Sequence, residues 1–195
     1  MSGSPEPAAP IVITSLGHGN RTQGEFVELL ESAGLTLLVD VRRFPGSKRH
    51  PHMRKAELQV ALPAAGIEYR HAVDLGGYRD PRPDSPHDGL PDDAARGYAD
   101  HMEGPVFRRA CARLLELGAK RPTAIMCAEM APTHCHRALL CDHLVLHGVR
   151  VVHLLAPGRA EAHVVNPRAA RRDDGRLLYR APDAGQLGLF GCLGA

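Results

Sequence analysis

Short apolar runs alternate along the chain with segments of helical periodicity. Residues 11–15 form a β-branched run that ends in a glycine-flanked turn, which predicts a buried strand. Thr22 and Glu25 have the spacing of a capping box, so a helix is predicted to begin there and to end at Gly34. Residues 35–41 are almost continuously apolar, which is typical of a central strand in a parallel sheet.

The rest of the chain repeats this alternation. The patterns predict further strands at 67–72, 122–127 and 149–155, and further helices at 54–65, 105–118 and 133–147. Alternation of strand and helix indicates a parallel sheet, because each helix returns the chain so that the next strand runs in the same direction. We therefore predict an α/β fold of three layers, in which a mainly parallel, Rossmann-like sheet has helices on both faces.

The chain is predicted to hold one folded domain with a tail at each end. Residues 11–180 carry the strand and helix patterns, whereas residues 1–10 are expected to be disordered and residues 181–195 to be a flexible tail. Inside the domain, residues 75–103 are rich in Gly, Pro and Asp and are too long for a simple connection. We interpret this segment as a functional lid or a partly ordered insertion.

Composition narrows the classes of function only modestly. The 195 residues carry a formal net charge of +2, which by itself does not imply nucleic-acid binding. Residues 42–55, however, contain several Lys and Arg residues and no acid, so this loop is either simply solvated or faces an anionic partner.

No apolar run is long enough to span a membrane and no signal-peptide segment follows Met1, so we expect a cytoplasmic protein. The five cysteines favour reduced thiols over a disulfide framework.

Polar and reactive side chains follow three of the predicted strands. In parallel sheets, ligands bind beyond the carboxyl ends of the strands, so these side chains are predicted to share one site. The strand ends carry His18 and Asn20, then Asp40 and Arg42, and then Cys127 and Glu129. Asp40 and Arg42 are separated by one residue and share a face of their strand, so they either pair with each other or contact a substrate.

The segment from Cys127 to Arg137 carries the densest chemistry. Thr133 is predicted to cap a helix whose first turn contains Cys135 and His136. A thiol at a helix N-terminus has a lowered pKa, and the free backbone N–H groups there bind anions. Arg137 could add a bidentate contact to a phosphate or carboxylate.

Three interpretations of this segment compete. Cys127 or Cys135 could be a nucleophile, with a histidine and Glu129 for proton transfer. Alternatively, Cys127, Cys135 and His136 could bind zinc, although their spacing differs from a Cys-x2-Cys knuckle and zinc is not favoured. In the third interpretation the cysteines only pack in the core.

Motifs along most of the chain resemble the bacterial family called domain of unknown function 488. They lie at 17–21, 39–46, 75–77, 97–102, 127–129 and 135–137. The resemblance implies an α/β fold and a polar pocket with two notable cysteines, to which Gly76, Gly77 and Tyr98 would contribute. It implies no reaction. Gly19 departs from the family pattern, in which serine is common.

The order of Asp40, Arg42 and Cys127 is also loosely similar to rhodanese-like domains, but Arg137 is too far from Cys127 for their Cys-x5-Arg loop.

The end of the chain contains a second recognisable pattern. Gln186, Leu187, Leu189 and Phe190 resemble the pentapeptide by which bacterial polymerases and repair proteins bind the β sliding clamp. Leucine and phenylalanine side chains on a flexible tail can insert into a hydrophobic groove while the glutamine supplies hydrogen bonds. The alternative is that these residues fold back onto the core.

These observations lead to three functional hypotheses. The first is an enzyme that processes nucleic acid or a nucleotide and is recruited by the sliding clamp. The second is a non-catalytic adaptor between DNA and the clamp, and the third is a rhodanese-like, small-molecule thiol enzyme. The predicted catalytic residues are His18, Cys127, Glu129, Cys135 and His136, and the predicted substrate-binding residues are Asn20, Asp40, Arg42, Gly76, Gly77, Tyr98 and Arg137.

Overall fold

A six-stranded sheet forms the centre of the protein, and the computed structural model describes residues 10–182. The strands are β1 (Val12–Gly17), β2 (Leu37–Asp40), β3 (Glu68–His71), β4 (Thr123–Cys127), β5 (Arg150–Ala156) and β6 (Arg159–Ala162). Their spatial order is β3-β2-β4-β1-β5-β6. The first five strands are parallel, and β6 pairs antiparallel with β5 at the edge.

In the described part of the chain, five α-helices cover both faces of this sheet. They are α1 (Gln23–Ser32), α2 (Lys55–Ala64), α3 (Asp93–Met102), α4 (Pro105–Gly118) and α5 (Arg137–Leu146). Apolar residues of α1 and α2 pack on one face of the sheet, and those of α3, α4 and α5 pack on the other. The predicted three-layer, Rossmann-like α/β fold is therefore confirmed. Within residues 10–182, no helix is long and apolar enough to cross a membrane.

Local sequence signals account for the ends of α1. The Thr22 side chain accepts a hydrogen bond from the backbone N–H of Glu25, and the Glu25 carboxylate accepts one from the backbone N–H of Thr22. Both contacts satisfy backbone donors that the first turn of a helix leaves without partners. Gly34 follows the helix with a φ of +62°, which glycine adopts without steric cost. The predicted capping box and helix end are confirmed.

The segment predicted as a lid is partly helical and contributes to the core. Residues 93–102 form α3, which Asp92 caps through its side chain. Tyr98 is completely buried on this helix, and its hydroxyl donates a hydrogen bond to the Leu75 carbonyl. The lid interpretation is wrong for α3, because the helix presents an amphipathic face that packs against α4 and α5.

The C-terminal part of the described chain contains strands that the sequence patterns did not indicate. After β5 the chain forms β6, and then a small antiparallel pair of β7 (Ala169–Arg171) and β8 (Leu177–Tyr179). The residues of β6 are exposed, and β7 and β8 have three residues each, so none has a long apolar run. Tyr179 at the end of β8 is nevertheless fully buried and donates a hydrogen bond to Asp142 on α5.

Candidate functional site

The carboxyl ends of β1, β2 and β4 meet at one edge of the sheet. The backbone N–H of His18 donates to the Cys127 carbonyl at 3.0 Å, which joins the loops after β1 and β4. A Cβ atom on Gly17 would lie 1.8 Å from the Glu129 carbonyl oxygen, so only glycine permits this approach. The predicted strand-end residues are therefore brought to one place by the topology of the sheet.

A pair of thiols lies at the end of β4. The Sγ atoms of Cys127 and Cys135 are 3.0 Å apart, and both cysteines are free thiols. Cys127 is 7% exposed, whereas Cys135 is half-buried. The Cys135 Sγ also lies 3.6 Å from Nδ1 of His136. A thiol that can donate its proton to a neighbouring sulfur stabilises the thiolate form of that neighbour.

His136 is held in one orientation beside these thiols. Its Nε2 lies 3.1 Å from the Val41 carbonyl oxygen, which is an acceptor only, so Nε2 carries a proton and Nδ1 faces the thiols. The Tyr98 ring packs against the imidazole edge to face, with centroids 4.9 Å apart. A Cβ atom on Gly77 would lie 2.8 Å from Nδ1, so this glycine allows the loop to approach the ring closely. Tyr98 and Gly77 thus position His136, and buried Tyr98 offers no surface to a substrate.

The two thiols have opposite pKa shifts. Donation from the Cys135 S–H lowers the pKa of Cys127 to about 4 against the opposing effect of burial, with help from His136 and the Glu129 backbone N–H. The same hydrogen bond to Cys127, together with burial, raises the pKa of Cys135 above its ordinary value. Near neutral pH the pair therefore holds one proton, which stays on Cys135, and Cys127 is the thiolate.

Arg137 is a buried positive charge beside the thiol pair. Its side chain is 1% exposed, and Nη2 donates to the carbonyl oxygens of Glu129 at 2.9 Å and Met130 at 3.3 Å. Its Nε and Nη1 have no hydrogen-bond partner among the described residues, and no described carboxylate forms an ion pair with it. A buried charge is costly unless another charge compensates it. The Arg137 charge acts to lower the pKa of Cys135, and the Arg137 backbone N–H donates to the Cys135 Sγ at 3.4 Å.

The local structure of the cysteine loop differs from the sequence prediction. Residues 132–134 form a single turn of 3-10 helix, and Cys135 has extended dihedral angles of −147° and 145°. Helix α5 begins at Arg137, and His136 occupies its N-cap position, so the prediction that Thr133 caps this helix is wrong. The Arg137 backbone N–H at the start of α5 does act to lower the pKa of Cys135, but the hydrogen bond to Cys127 and burial outweigh it, so the pKa is raised. The lowered pKa belongs to Cys127, and its cause is the second thiol.

Asp40 and Arg42 form a buried ion pair at the end of β2. The Arg42 guanidinium contacts both carboxylate oxygens of Asp40, with Nε–Oδ1 at 2.9 Å and Nη2–Oδ2 at 2.6 Å. Arg42 also donates to the Met53 carbonyl and to Nε2 of His18, while the Tyr69 hydroxyl donates to Asp40. Of the two roles considered for this pair, the structure shows the internal ion pair. Its polar atoms are already engaged, so it forms a rigid wall of the site.

His18 is neutral in this environment. Burial is the main cause that lowers its pKa to about 4, and the nearby Arg42 charge acts in the same direction. Its Nδ1 lies 2.9 Å from the Gly19 carbonyl oxygen, which places the proton on Nδ1 and leaves Nε2 to accept from Arg42. His18 thus occupies the site with both ring nitrogens engaged, and a substrate must displace Arg42 to use it as a base.

An open cleft of about 580 Å³ lies next to the thiol pair. His18 and Arg42 line its inner wall, and residues 128–131, which directly follow Cys127, line another side. Asn20 and Glu129 are exposed at this cleft. The basic loop contributes further lining residues, namely Phe44, Ser47, Arg49 and His50, which the sequence patterns had placed in a loop without assigning them to the site.

The same edge offers three donor atoms for a metal ion. The Sγ atoms of Cys127 and Cys135 and a ring nitrogen of His136 lie within 4.8 Å of one another. With Nε2 bonded to Val41, Nδ1 of His136 has the orientation typical of a metal ligand. A structural zinc site has four protein ligands, whereas the described residues supply three here, so zinc stays the less favoured alternative. The described part of the chain holds two further clusters with metal-ligand chemistry, at Cys141, His153 and His163 and at His87, Asp100 and Glu103.

The predicted partner-binding peptide lies outside the described residues. It comprises Gln186, Leu187, Leu189 and Phe190.

Sequence comparison agrees with the resemblance seen in the motifs. A family model described as Domain of unknown function DUF488 matches residues 22–144, which include the cysteine loop, the Asp40–Arg42 pair and the loop at Gly76 and Gly77. No curated protein and no solved structure matches the chain. Because the model covers more than half of the sequence, the chain belongs to the DUF488 family.

Proposed function

We propose that this member of the DUF488 family is a thiol enzyme that acts on a nucleotide or nucleic-acid substrate. The observation that carries the proposal is the Cys127–Cys135 contact of 3.0 Å at the carboxyl end of β4. Because Cys135 retains the shared proton, Cys127 is a thiolate at neutral pH and can attack an electrophilic atom of a substrate.

The neighbouring groups have roles that follow from their contacts. Cys135 stabilises the Cys127 thiolate before it reacts by a hydrogen bond, with help from His136 and from the Glu129 backbone N–H. His136 Nδ1 lies 3.6 Å from the Cys135 sulfur, and its side chain helps to lower the pKa of Cys127, so His136 is placed to exchange a proton at the thiol site. Glu129 is exposed at the cleft, where its carboxylate can exchange a proton with a bound substrate. Together these residues supply a nucleophile and two groups for proton transfer.

The charge around the cleft supports a phosphate-bearing substrate. Lys48, Arg49, Arg54 and Lys55 are exposed and form no ion pair with the described residues. Arg49 lines the cleft itself. Exposed cations without acidic neighbours attract phosphate groups and release counterions when they bind them. The basic loop at 42–55, for which the sequence left open a solvated or a DNA-facing role, thus lies beside the thiol pair.

The terminal peptide supports a link to replication or repair. Gln186, Leu187, Leu189 and Phe190 have the side chains that the clamp-binding pattern requires. In this proposal the tail docks on the β sliding clamp and holds the cleft close to DNA, which raises the local concentration of substrate.

A substrate screen tests the proposal. The purified protein is incubated with nucleotides and with labelled oligonucleotides that carry damaged, abasic or modified bases, and products are detected by mass spectrometry. We expect a product that disappears in Cys127→Ser and persists in Cys111→Ser, whose thiol is buried in the core away from the pair. Binding without turnover would favour the adaptor, and turnover that survives Cys127→Ser would contradict the assignment of the nucleophile.

The short distance between the thiols also favours a second function, that of a small-molecule dithiol enzyme. Two sulfur atoms 3.0 Å apart can form a disulfide with little movement. Such an enzyme would oxidise its dithiol to a disulfide while it reduces a small disulfide or peroxide, and an external thiol would return the pair to the dithiol. A Cys127–Cys135 disulfide that forms with the oxidant and is reversed by the thiol, together with no effect of nucleotides, would support this alternative.

A further inference from the structure

Two large aromatic side chains lie exposed and adjacent at the rim of the site. Phe44 is 70% exposed and Tyr78 is 78% exposed, and their ring centroids are 6.0 Å apart. The two residues follow neighbouring parallel strands, since β2 precedes Phe44 and β3 precedes Tyr78. Phe44 also lines the cleft beside the thiol pair. Single exposed apolar residues are ordinary, but an exposed aromatic pair at a cleft indicates a binding surface.

The backbone holds this pair in place at a steric cost. Tyr78 has a φ of +57°, and it is the only residue other than glycine with a positive φ in the described part of the chain. Bulky residues adopt this conformation rarely, and strained residues of this kind cluster at functional sites. Arg43 donates a hydrogen bond to the Tyr78 carbonyl, and its guanidinium carbon lies 5.5 Å from the centre of the Phe44 ring. Arg43 therefore connects both halves of the pair.

The surface beside the aromatic pair is positively charged. Lys48, Arg49, Arg54 and Lys55 are exposed in the loop that begins at the end of β2. No acidic residue occurs between Arg42 and Lys55, so nothing within this loop neutralises them. The combination of exposed aromatic rings with unpaired cations matches the two parts of a nucleotide, since bases stack on rings and phosphates contact cations.

We infer that Phe44 and Tyr78 form a stacking platform for unpaired bases of a single-stranded nucleic acid, whose phosphates lie along the basic loop at 48–55. The inference deepens the proposed function and rests on it, because it names the substrate class of the same cleft. In a duplex the base faces are covered by neighbouring base pairs, whereas in a single strand they are free to stack on protein rings. Two rings 6.0 Å apart can contact neighbouring bases of one strand.

The arrangement also directs the strand toward the thiol pair. Phe44 and Arg49 share the cleft with Glu129, whose backbone N–H contacts Cys127. A base stacked at the rim therefore leaves the next nucleotide close to the cleft. In this arrangement the aromatic platform selects an unpaired strand, and the thiol site acts on the nucleotide next to the stacked base.

Fluorescence anisotropy with a labelled oligothymidylate tests the inference in the full-length protein. Phe44→Ala and Tyr78→Gly should each weaken binding about tenfold or more, since stacking on one aromatic ring contributes about 1–3 kcal/mol per base. Tyr78→Gly relieves the positive φ, so this variant should fold normally. Tyr78→Phe and Phe44→Tyr keep the rings and should bind like the original protein. Val60→Ala is the matched control, because Val60 is 75% exposed and lies away from the cleft.

Competition experiments separate single strands from other occupants. An unlabelled single strand should displace the probe at much lower concentration than the corresponding duplex. Equal displacement by duplex, unchanged binding in both aromatic variants, or a preference of the platform for anionic phosphatidylserine vesicles over oligonucleotide would each overturn the inference. Turnover is measured separately in the substrate screen. Aromatic-dependent binding without any turnover would contradict the proposed chemistry while leaving the platform intact.

Discussion

Cys135 donates its proton toward Cys127 across 3.0 Å, and this contact determines which of the two sulfurs carries the negative charge. Cys127 stands at the end of a buried strand, and Cys135 stands in extended backbone just before α5. The contact therefore joins the strand end to the start of the helix. It also gives the site an ionised thiol without a neighbouring carboxylate.

Removal of the donor should raise the pKa of Cys127. In Cys135→Ala the thiolate loses its main stabilising hydrogen bond, so the pKa should rise from about 4 toward the ordinary value of a cysteine. The thiolate fraction between pH 5 and 7 should then fall strongly. The pH dependence of alkylation of Cys127 by a small reagent, followed by mass spectrometry, measures this shift. Cys141→Ala is the control, and an unchanged profile in Cys135→Ala would show that the second thiol does not set the pKa.

Arg137→Met should affect both the thiol pair and the loop after β4. The variant removes the buried positive charge and the hydrogen bonds to the carbonyls of Glu129 and Met130. We expect a higher pKa for the Cys135 thiol, on which the Arg137 charge acts, and a loss of about 2–4 kcal/mol in the free energy of unfolding. Chemical denaturation measures the stability and thiol alkylation measures the pKa. Exposed Arg109→Met on α4 should change neither quantity, and equal behaviour of the two variants would contradict the role given to Arg137.

Gly17→Ala should displace the loop that carries Glu129. The added Cβ would meet the Glu129 carbonyl oxygen at 1.8 Å, and a backbone atom cannot move aside as a side-chain tip can. We expect a loss of more than about 2 kcal/mol in the free energy of unfolding. Gly24→Ala is the matched control, because nothing lies within 4 Å of its Cβ and helix α1 should gain slightly in stability. Thermal unfolding of both variants provides the comparison.

Acid should destabilise the fold through buried neutral histidines. Burial is the main cause that lowers the pKa of His143 to about 3 and that of His18 to about 4. The unfolded chain binds protons at these residues below about pH 6.5, whereas the folded protein resists protonation until the pH is much lower. The contribution of these histidines to the free energy of unfolding should therefore be fully present above about pH 6.5. It should be lost as the pH decreases toward 4, which lowers the free energy of unfolding by roughly 1–3 kcal/mol in total.

The variant His143→Phe isolates one contribution to this acid sensitivity. A phenylalanine keeps a ring against Phe107, whose centroid lies 5.1 Å from that of His143. The free energy of unfolding should then depend less steeply on pH between 6.5 and 4. Denaturation series at several pH values measure the slope. Lys120→Met is the control, because exposed Lys120 does not titrate in this range.

The terminal peptide should be required for binding to the bacterial β sliding clamp. Leu189→Ala combined with Phe190→Ala removes both apolar anchors and should abolish binding in the micromolar range, because such anchors carry most of the energy of short peptide contacts. Leu193→Ala, just beyond the pattern, should bind as the original protein does. Surface plasmon resonance with immobilised clamp measures both. Binding that survives the double substitution would contradict a role of this peptide.

Features that depend on neighbours in the sequence were predictable. The capping box of Thr22 and Glu25 and the end of α1 at Gly34 involve contacts within a few residues. The apolar runs likewise indicate β1, β2, β4 and β5, because a strand buried on both faces needs apolar side chains throughout. Strand β6 was missed for the corresponding reason, since its residues are exposed and its pairing with β5 stabilises it.

The placement of the reactive residues at one edge also followed from the sequence, whereas their chemical state did not. Parallel strands end on the same side, so His18, Asp40 and Cys127 were expected to lie together. The sequence could not show that Asp40 already neutralises Arg42, or that Arg137 is buried without a carboxylate partner. Both facts depend on which side chains pack against each other and on how much water reaches them.

By itself, then, the sequence determined the α/β fold, the order of its main elements and the chemical groups available at the strand ends, because these follow from local periodicity and chain direction. Only the tertiary structure decided which groups touch. It placed Cys135 against Cys127, buried Tyr98 beside His136, and brought Phe44 next to Tyr78 through the pairing of β2 with β3. Such contacts join distant parts of the chain, and their energies depend on burial and on distances that no local pattern of residues encodes.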